Sequence, residues 1–178
     1  MKKTHIIIVF FALISGTVHS QIQDSGSFRI GFHLRELSGD FGLGLNVDLP
    51  TPQYWPTIRL AGTWQWQEIP DGTSFDKASY LTLRTGVASK SFQIQERIRA
   101  YGEGGLLAIL PSDELSEDSF ELGGYGLFGF EFFVEHYGGS SLFLEVGASS
   151  AGNGLDTRPG ISGFGTGFWV GAGFRVAL

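Results

Sequence analysis

Apolar and polar side chains alternate with a period of two through eight segments of this chain, and turn-rich breaks separate the segments. Each segment is long enough for a tilted membrane-spanning strand, which needs about 9 to 11 residues. None of them has a convincing helical period, so the pattern predicts an all-β chain of eight strands. The predicted strands cover residues 27–36, 39–48, 57–67, 78–90, 98–110, 121–134, 140–149 and 164–178.

The two faces of each predicted strand differ in charge, because successive side chains in a strand point to opposite sides. One face is apolar and carries no charge, as in Phe128, Phe130 and Phe132 of the sixth segment. The opposite face collects most of the arginines together with several carboxylates. Its charged residues are Arg29, Arg35, Asp48, Arg59, Arg84, Arg99, Glu103, Glu121, Glu131, Glu145 and Arg175.

The charged face decides between a soluble and a membrane barrel. A soluble barrel usually carries many lysines outside, whereas beyond residue 20 this chain has only Lys77 and Lys90, both at segment ends. Arginines interleaved with glutamates suit a narrow lumen in which guanidinium groups pair with carboxylates. An arginine at mid-bilayer on a lipid-facing surface costs about 2–4 kcal/mol, which would explain a charge-free outer face. We therefore predict an eight-stranded antiparallel up-and-down transmembrane β-barrel, with a soluble periplasmic β-barrel as the rival fold.

The first twenty residues have the pattern of a cleaved secretory signal peptide. Lys2 and Lys3 precede an apolar run, residues 6–14, that is too short to span a bilayer as a helix. Cleavage after Ser20 would leave a single domain, residues 21–178, with 10 basic and 18 acidic residues and a formal charge of −8. That charge argues against a nucleic-acid partner. The absence of cysteine excludes disulfides, thiolate metal sites and a lipoprotein anchor. We predict export to the bacterial outer membrane, and neither a cofactor nor a metal.

The breaks between the strands are unequal, as in outer-membrane barrels, which have short turns at one end and longer loops at the other. With the N-terminus in the periplasm, periplasmic turns are predicted at residues 49–56, 91–97 and 135–139. Outside loops are predicted at residues 37–38, 68–77, 111–120 and 150–163. We expect these loops to contact extracellular partners, and the barrel to contact outer-membrane lipids and lipopolysaccharide.

Eight strands enclose an interior just wide enough for side chains to fill. The inward charges therefore predict a lumen plugged by buried ion pairs, since an unpaired buried charge is expensive. Conduction of protons or ions along the same charges is the alternative. The predicted network consists of Arg29, Arg59, Arg84, Arg99, Glu103, Glu131, Glu145 and Arg175.

Three segments carry a family resemblance: RAYGEGGLLAIL, GGYGLFGFEFFVE and the terminal GFWVGAGFRVAL. On these segments the chain resembles the small outer-membrane β-barrel proteins that include the OmpX-like and OmpA-like barrels, and the resemblance covers residues 21–178. The family usually ends in an aromatic residue, and Leu178 departs from that pattern. The functions of that family range over structural anchoring, adhesion, stress resistance and lipid modification, so the resemblance implies little about chemistry. We predict a structural or interaction role at the envelope. The resemblance also implies a C-terminal signal for the outer-membrane assembly machinery, carried by Val170, Ala172, Phe174, Val176 and Leu178.

Two alternatives to a structural barrel arise from inward residues. Inward aromatics such as Tyr125 and Trp169, beside glycines such as Gly129, either fill the lumen or line a cavity for a lipid or small apolar ligand. A lipid A acyl-modifying enzyme would need a serine, a histidine and an acid that converge near the membrane edge. Beyond residue 20 the chain offers only His33 and His136, and neither is followed two residues later by serine, as lipid A deacylase-like barrels would require. We predict no enzymatic activity.

Overall fold

The computed structural model describes residues 27–52, 55–71, 74–89, 91–116, 118–134, 140–151 and 164–178. The signal-peptide prediction for residues 1–20 lies outside these ranges. Within them no helix is long and apolar enough to cross a membrane. The described strands are β1 (Arg29–Leu37), β2 (Asp40–Leu49), β3 (Thr57–Asp71), β4 (Ser74–Ala88), β5 (Phe92–Gln95), β6 (Ile98–Pro111), β7 (Glu121–Phe133), β8 (Ser141–Ala151) and β9 (Gly167–Ala177).

These strands form one closed antiparallel sheet. Its order is β4-β3-β2-β1-β9-β8-β7-β6-β5, and a further pairing of β4 with β6 closes the ring. The four-residue β5 pairs with β6 alone, so the barrel has eight full strands. The predicted eight-stranded antiparallel barrel is confirmed. Because the ring is closed, each of the eight strands pairs with a neighbour on both sides. These pairings satisfy the backbone hydrogen-bonding groups within the sheet.

The two ends of the barrel differ. Both described chain termini lie at one end, here called the terminal end, where Leu178 donates its backbone N–H to Phe28. The other end is here called the loop end. There a tight turn at Ser38 and Gly39, whose φ angles are 50° and 103°, joins β1 to β2. Two consecutive residues with positive φ form the two-residue turn whose twist best fits a pair of twisted antiparallel strands. Gly39 adopts such an angle without steric cost.

The hairpin of β3 and β4 projects beyond its neighbours at the loop end. β2 pairs with β3 only as far as Trp66, and β6 pairs with β4 only from Tyr80. β3 and β4 stay paired to Asp71 and Ser74, so five residue pairs extend past the adjoining strands. At a rise of about 3.3 Å per residue this projection is about 16 Å long. The loop predicted at residues 68–77 is therefore wrong, because backbone pairing does not require the apolar alternation to continue.

Of the other predicted breaks, one is confirmed, one contains a short strand, and two lie wholly or mostly outside the described residues. The turn predicted at residues 49–56 is confirmed, since β2 ends at Leu49 and β3 begins at Thr57. The break predicted at residues 91–97 contains β5, whose pairing with β6 continues the line of β4 beyond the closure. The predicted breaks at residues 135–139 and, for the most part, 150–163 lie outside the described residues.

The outer surface of the barrel is apolar and the interior is polar. Leu45, Leu106, Leu122 and Phe168 point outward with 60–80% of their surface exposed. The inward residues between them are buried, and they include the charged residues of the next section. The inside of this barrel is therefore its charged side, which is the reverse of a soluble barrel.

Barrel closure depends on a glycine pair, Gly86 on β4 and Gly105 on β6, which lie opposite each other. A Cβ added to Gly105 would collide with the Thr85 carbonyl and lie 2.5 Å from the Gly86 Cα. We expect Gly105→Ala to lower the free energy of unfolding by about 1–3 kcal/mol, the usual cost of overpacking. Gly104→Ala is the matched control, because its Cβ would have an ordinary 3.6 Å contact. Urea unfolding of the two variants measures the difference, and equal midpoints would show that closure tolerates the added methyl group.

Candidate functional site in the barrel lumen

The inward charges of the terminal half form one connected set, here called the luminal network. Two arginines lie at its centre, Arg59 on β3 and Arg175 on β9, with 5% and 1% of their surface exposed. Each of them contacts carboxylates on different strands. The network comprises Arg29, Asp48, Arg59, Tyr101, Glu103, Glu131, Ser141, Glu145 and Arg175.

Arg59 joins three strands. Its Nε and Nη2 donate to the two oxygens of Asp48 on β2, at 2.5 and 2.9 Å, which is the two-point geometry that suits a guanidinium and a carboxylate. Its Nη1 donates to Glu103 on β6 at 2.6 Å and lies 3.6 Å from Glu145 on β8. The contact with Glu145 crosses the lumen, because β3 and β8 lie on opposite sides of the closed ring, whereas β4 alone separates β3 from β6.

Arg175 makes the second set of cross-strand contacts. Its two terminal nitrogens donate to Glu131 on β7 and Glu145 on β8, each at 2.6 Å. Its Nε donates to the Asn46 side chain at 3.2 Å, and its guanidinium stacks on Phe143 with 3.8 Å between Cζ and the ring centre. Every side of this buried cation is therefore occupied, which is the condition under which burying a charge is tolerated.

Hydroxyl groups complete the network. Tyr101 donates to Glu145 and accepts from both terminal nitrogens of Arg175 at 3.1 Å. Tyr125 donates to Glu103 at 2.6 Å. Ser141 accepts from Arg29 at 2.8 Å, and the same arginine donates to Glu131 at 2.7 Å. Charges and hydroxyls thus link seven strands of the barrel.

The structure places all eight sequence-predicted network residues inside the barrel. Six of them meet directly: Arg29, Arg59, Glu103, Glu131, Glu145 and Arg175. Arg84 lies apart from these contacts, 5.2 and 5.0 Å above the rings of Tyr125 and Trp169. Arg99 lies over the ring of Phe133 at 4.2 Å.

Sequence reasoning left Asp48, Tyr101 and Ser141 out of the network. Asp48 lies on the charged face and could have been found, since it faces Arg29 on one side and Arg59 on the other. The hydroxyls of Tyr101 and Ser141 have no sequence signal beyond an inward position, because their partners lie on other strands.

Aromatic rings occupy the space above the inward glycines. A Cβ on Gly129 would lie 2.5 Å from the Tyr101 ring, and one on Gly147 would lie 2.7 Å from Trp169. The Phe143 ring occupies the corresponding space above Gly173. Each glycine admits a ring from another strand. At Gly129, where the sequence left open a cavity for an apolar ligand, the structure therefore places the ring of Tyr101.

His33 lies within the same polar interior and has 3% of its surface exposed. Its Nε2 lies 2.9 Å from the Thr63 hydroxyl and its Nδ1 3.4 Å from the Asn46 amide. His136, the other histidine that the enzyme alternative considered, lies outside the described residues. Among the described residues no three His, Asp or Glu side chains are grouped so as to hold a metal ion.

An apolar cap closes the loop end above these groups. Leu37, Tyr80, Leu115 and Phe164 are almost fully buried there, and the Tyr80 and Phe164 rings pack 5.4 Å apart. Tyr80 also donates to Asp40 at 2.6 Å. Leu115 belongs to the segment between β6 and β7, so part of the loop predicted at residues 111–120 folds inward over the lumen.

Comparison with known proteins bears on the fold. No protein-family model and no curated protein sequence matches the chain. Among solved structures, the N-terminal β-barrel domain of Pseudomonas aeruginosa OprF is similar with a TM-score of 0.55 and 10% sequence identity, over 86% of this chain and 98% of that one. A structure described as de novo design of transmembrane β-barrels gives a TM-score of 0.49 and 14% identity, over 88% and 98% of the two chains. The chain thus has the closed eight-stranded antiparallel fold of the OprF barrel domain.

Proposed function

We propose that this protein is an outer-membrane β-barrel with a closed lumen, which acts as a structural or interaction component of the cell envelope. The observation that carries the proposal is the inversion of the barrel, with exposed apolar side chains outside and paired charges inside. A lipid-facing surface must be apolar, and a lumen too narrow for bulk water must pair its charges. A soluble barrel would reverse both requirements.

The height of the apolar surface supports membrane placement. On β3 it runs from Ile58 to Trp66, which is about 26 Å of strand at 3.3 Å per residue. At a tilt of about 40° this corresponds to about 20 Å along the barrel axis, close to the apolar band of about 25 Å in outer-membrane barrels. Glu68 is exposed beyond this band on β3, and the exposed Glu36 on β1 is in register with Phe41 and Trp66 at its loop-end edge. Trp64 and Trp66 lie at its edge, where aromatic residues anchor such barrels.

The projecting β3–β4 hairpin supports a role in interaction. With both chain termini in the periplasm, the hairpin and the segment between β6 and β7 lie outside the cell. The hairpin presents backbone beyond its neighbouring strands, and unpaired strand edges add strands from other chains readily. Exposed Phe120 lies on the segment between β6 and β7. We propose that these features contact extracellular partners, while the barrel contacts lipopolysaccharide.

We also propose that the protein is not an enzyme. His33 is hydrogen-bonded to Thr63 and Asn46, and among the described residues neither a serine nor a carboxylate is hydrogen-bonded to its ring.

The terminal residues Val170, Phe174 and Val176 all point outward on β9, with 39–55% of their surface exposed. This exposed row fits the proposed signal for the assembly machinery.

Envelope fractionation tests the location. We expect the protein in the outer-membrane fraction, extracted only by detergent, and an electrophoretic band that shifts on boiling because the closed barrel resists detergent until it is heated. An unrelated periplasmic protein is the fractionation control. Recovery in the aqueous fraction, with no shift on boiling, would contradict the proposed location.

A charge on the outer face distinguishes lipid from water. We expect Leu144→Arg to destabilise the folded barrel in lipid vesicles by about 2–4 kcal/mol, since an arginine there would face the bilayer interior. Ser150→Arg is the matched control on the same strand and face, nearer the loop end, with an expected cost of about 0–1 kcal/mol. Urea titrations in vesicles compare the two variants. A soluble barrel would tolerate both substitutions equally.

Removal of one cation from the luminal network tests whether its buried charges are paired. We expect Arg175→Met to cost about 3–5 kcal/mol of unfolding free energy, because it removes from Glu131 and Glu145 the buried cation that both carboxylates contact at 2.6 Å. Glu96→Gln, on the exposed turn after β5, is the control.

Conductance tests whether the lumen is closed. In planar lipid bilayers we expect no stepwise conductance from the unaltered protein. A stable single-channel current would favour ion conduction over a plug.

A further inference from the structure

Two arginines in the loop-end half of the lumen are arranged differently from those of the luminal network. Arg35 on β1 and Arg84 on β4 have 2% and 6% of their surface exposed. Their guanidinium carbons lie 4.0 and 5.0 Å from the ring centre of Trp169. The two positive charges are therefore no more than about 9 Å apart, the sum of those distances. We call Arg35, Arg84 and Trp169 the arginine pair site.

This site gathers buried hydrogen-bond donors that have no acceptor among the described residues. They are Nε and Nη1 of Arg35, Nε and Nη1 of Arg84, Nε1 of Trp169 and Nε2 of Gln65. Gln65 belongs to the group because its side chain lies over Gly42, which is the neighbour of Arg35 in the sheet. All six atoms are N–H donors, so they cannot satisfy one another.

Two of the inward carboxylates are already engaged. Glu103 accepts from Arg59 and Tyr125, and Glu145 accepts from Arg175 and Tyr101. Among the described residues neither Arg35 nor Arg84 has a carboxylate within 4.0 Å, whereas Arg29, Arg59 and Arg175 each have one or more. Two like charges that are buried together and lack acceptors are unfavourable unless an anion lies between them.

We propose that the arginine pair site binds a small free oxyanion of the phosphate or sulfate class. Guanidinium forks match the oxygen geometry of such anions, and the indole and amide N–H groups add neutral donors around them. The apolar cap of Leu37, Leu115 and Phe164 covers the loop end, which favours a small anion over a lipid headgroup tethered to acyl chains. The site goes beyond the proposed envelope role, which names no bound ligand.

The test uses the refolded barrel in a sugar-based detergent, which contains no phosphate. Inorganic phosphate replaces sodium chloride at constant ionic strength, both during refolding and afterwards, so that slow entry beneath the cap does not hide binding. We expect saturable binding by calorimetry, and a higher unfolding temperature because the ligand binds only the folded state. Replacing Trp55, Trp64 and Trp66 by Phe leaves Trp169 as the single indole, and we expect its fluorescence to follow the same titration.

Substitutions identify the residues. We expect Arg35→Met and Arg84→Met each to weaken phosphate binding roughly ten-fold or more, the loss that removal of one charge-assisted hydrogen bond produces. Without phosphate both variants should fold at least as stably as the unaltered protein, since each removes an unpaired buried cation. Arg35→Lys keeps the charge but loses the fork, and we expect weaker binding in a barrel that still folds. Arg97→Gln, on the exposed turn after β5, is the control and should bind as the unaltered protein does.

Three outcomes would overturn the proposal. One is equal effects of phosphate and chloride at the same ionic strength, and another is normal binding by both methionine variants. The third is a response only to micelles doped with an anionic phospholipid, which would assign the site to a headgroup. Each of these outcomes leaves the boiling shift of the barrel intact, so failure of the anion site is separable from failure of the envelope proposal.

Discussion

Buried arginine is the constraint on which the rest of this barrel depends. Arg59 and Arg175 are held inside a sheet too narrow to hydrate them, and an uncompensated ion there costs several kcal/mol. Each therefore needs carboxylates from more than one strand, at 2.5–2.6 Å. The contacts tie β3 to β2 and β6, and β9 to β7 and β8. A barrel of another strand order or register would separate these charges from their partners, so the network specifies the topology as well as filling it.

The same narrowness explains the many glycines. The chain has 27 glycines and 16 phenylalanines among 178 residues. Inside the barrel a large ring on one strand lies over a glycine on another, as Tyr101 does over Gly129 and Phe143 over Gly173. A second side chain at either glycine would occupy the space of the ring. Small and large residues therefore alternate between neighbouring strands on the inner face, which is how a small barrel reaches close packing.

Much of this fold could be predicted from the sequence, because a period of two assigns every strand residue to one of two faces without knowledge of the partner strands. That rule places Arg59, Glu103 and Arg175 inside the barrel. It does not pair them, since Arg59 and Glu103 lie 44 residues apart on two strands that β4 separates and that do not pair with each other. Arg84 shares their face but lies apart from the six that meet, because the tilt of the strands decides which inward positions share a level. The projecting hairpin was not predicted, because its strands pair through their backbones without a regular alternation of apolar and polar side chains.

The lumen is divided into two halves that treat arginine differently. In the terminal half the guanidinium groups meet carboxylates, whereas in the loop-end half Arg35 and Arg84 meet the faces of Trp169 and Tyr125. A cation over an aromatic ring gains about 0.5–2 kcal/mol, and it uses the face of the guanidinium and not its N–H edge. Burial of an ion costs several kcal/mol, and each buried donor without an acceptor adds about 1–3 kcal/mol. Stacking on Trp169 is thus too weak by itself to hold two cations in this space. The oxyanion that we propose for the arginine pair site would accept from the unpartnered N–H groups of both guanidinium groups and would supply the free energy that the rings cannot.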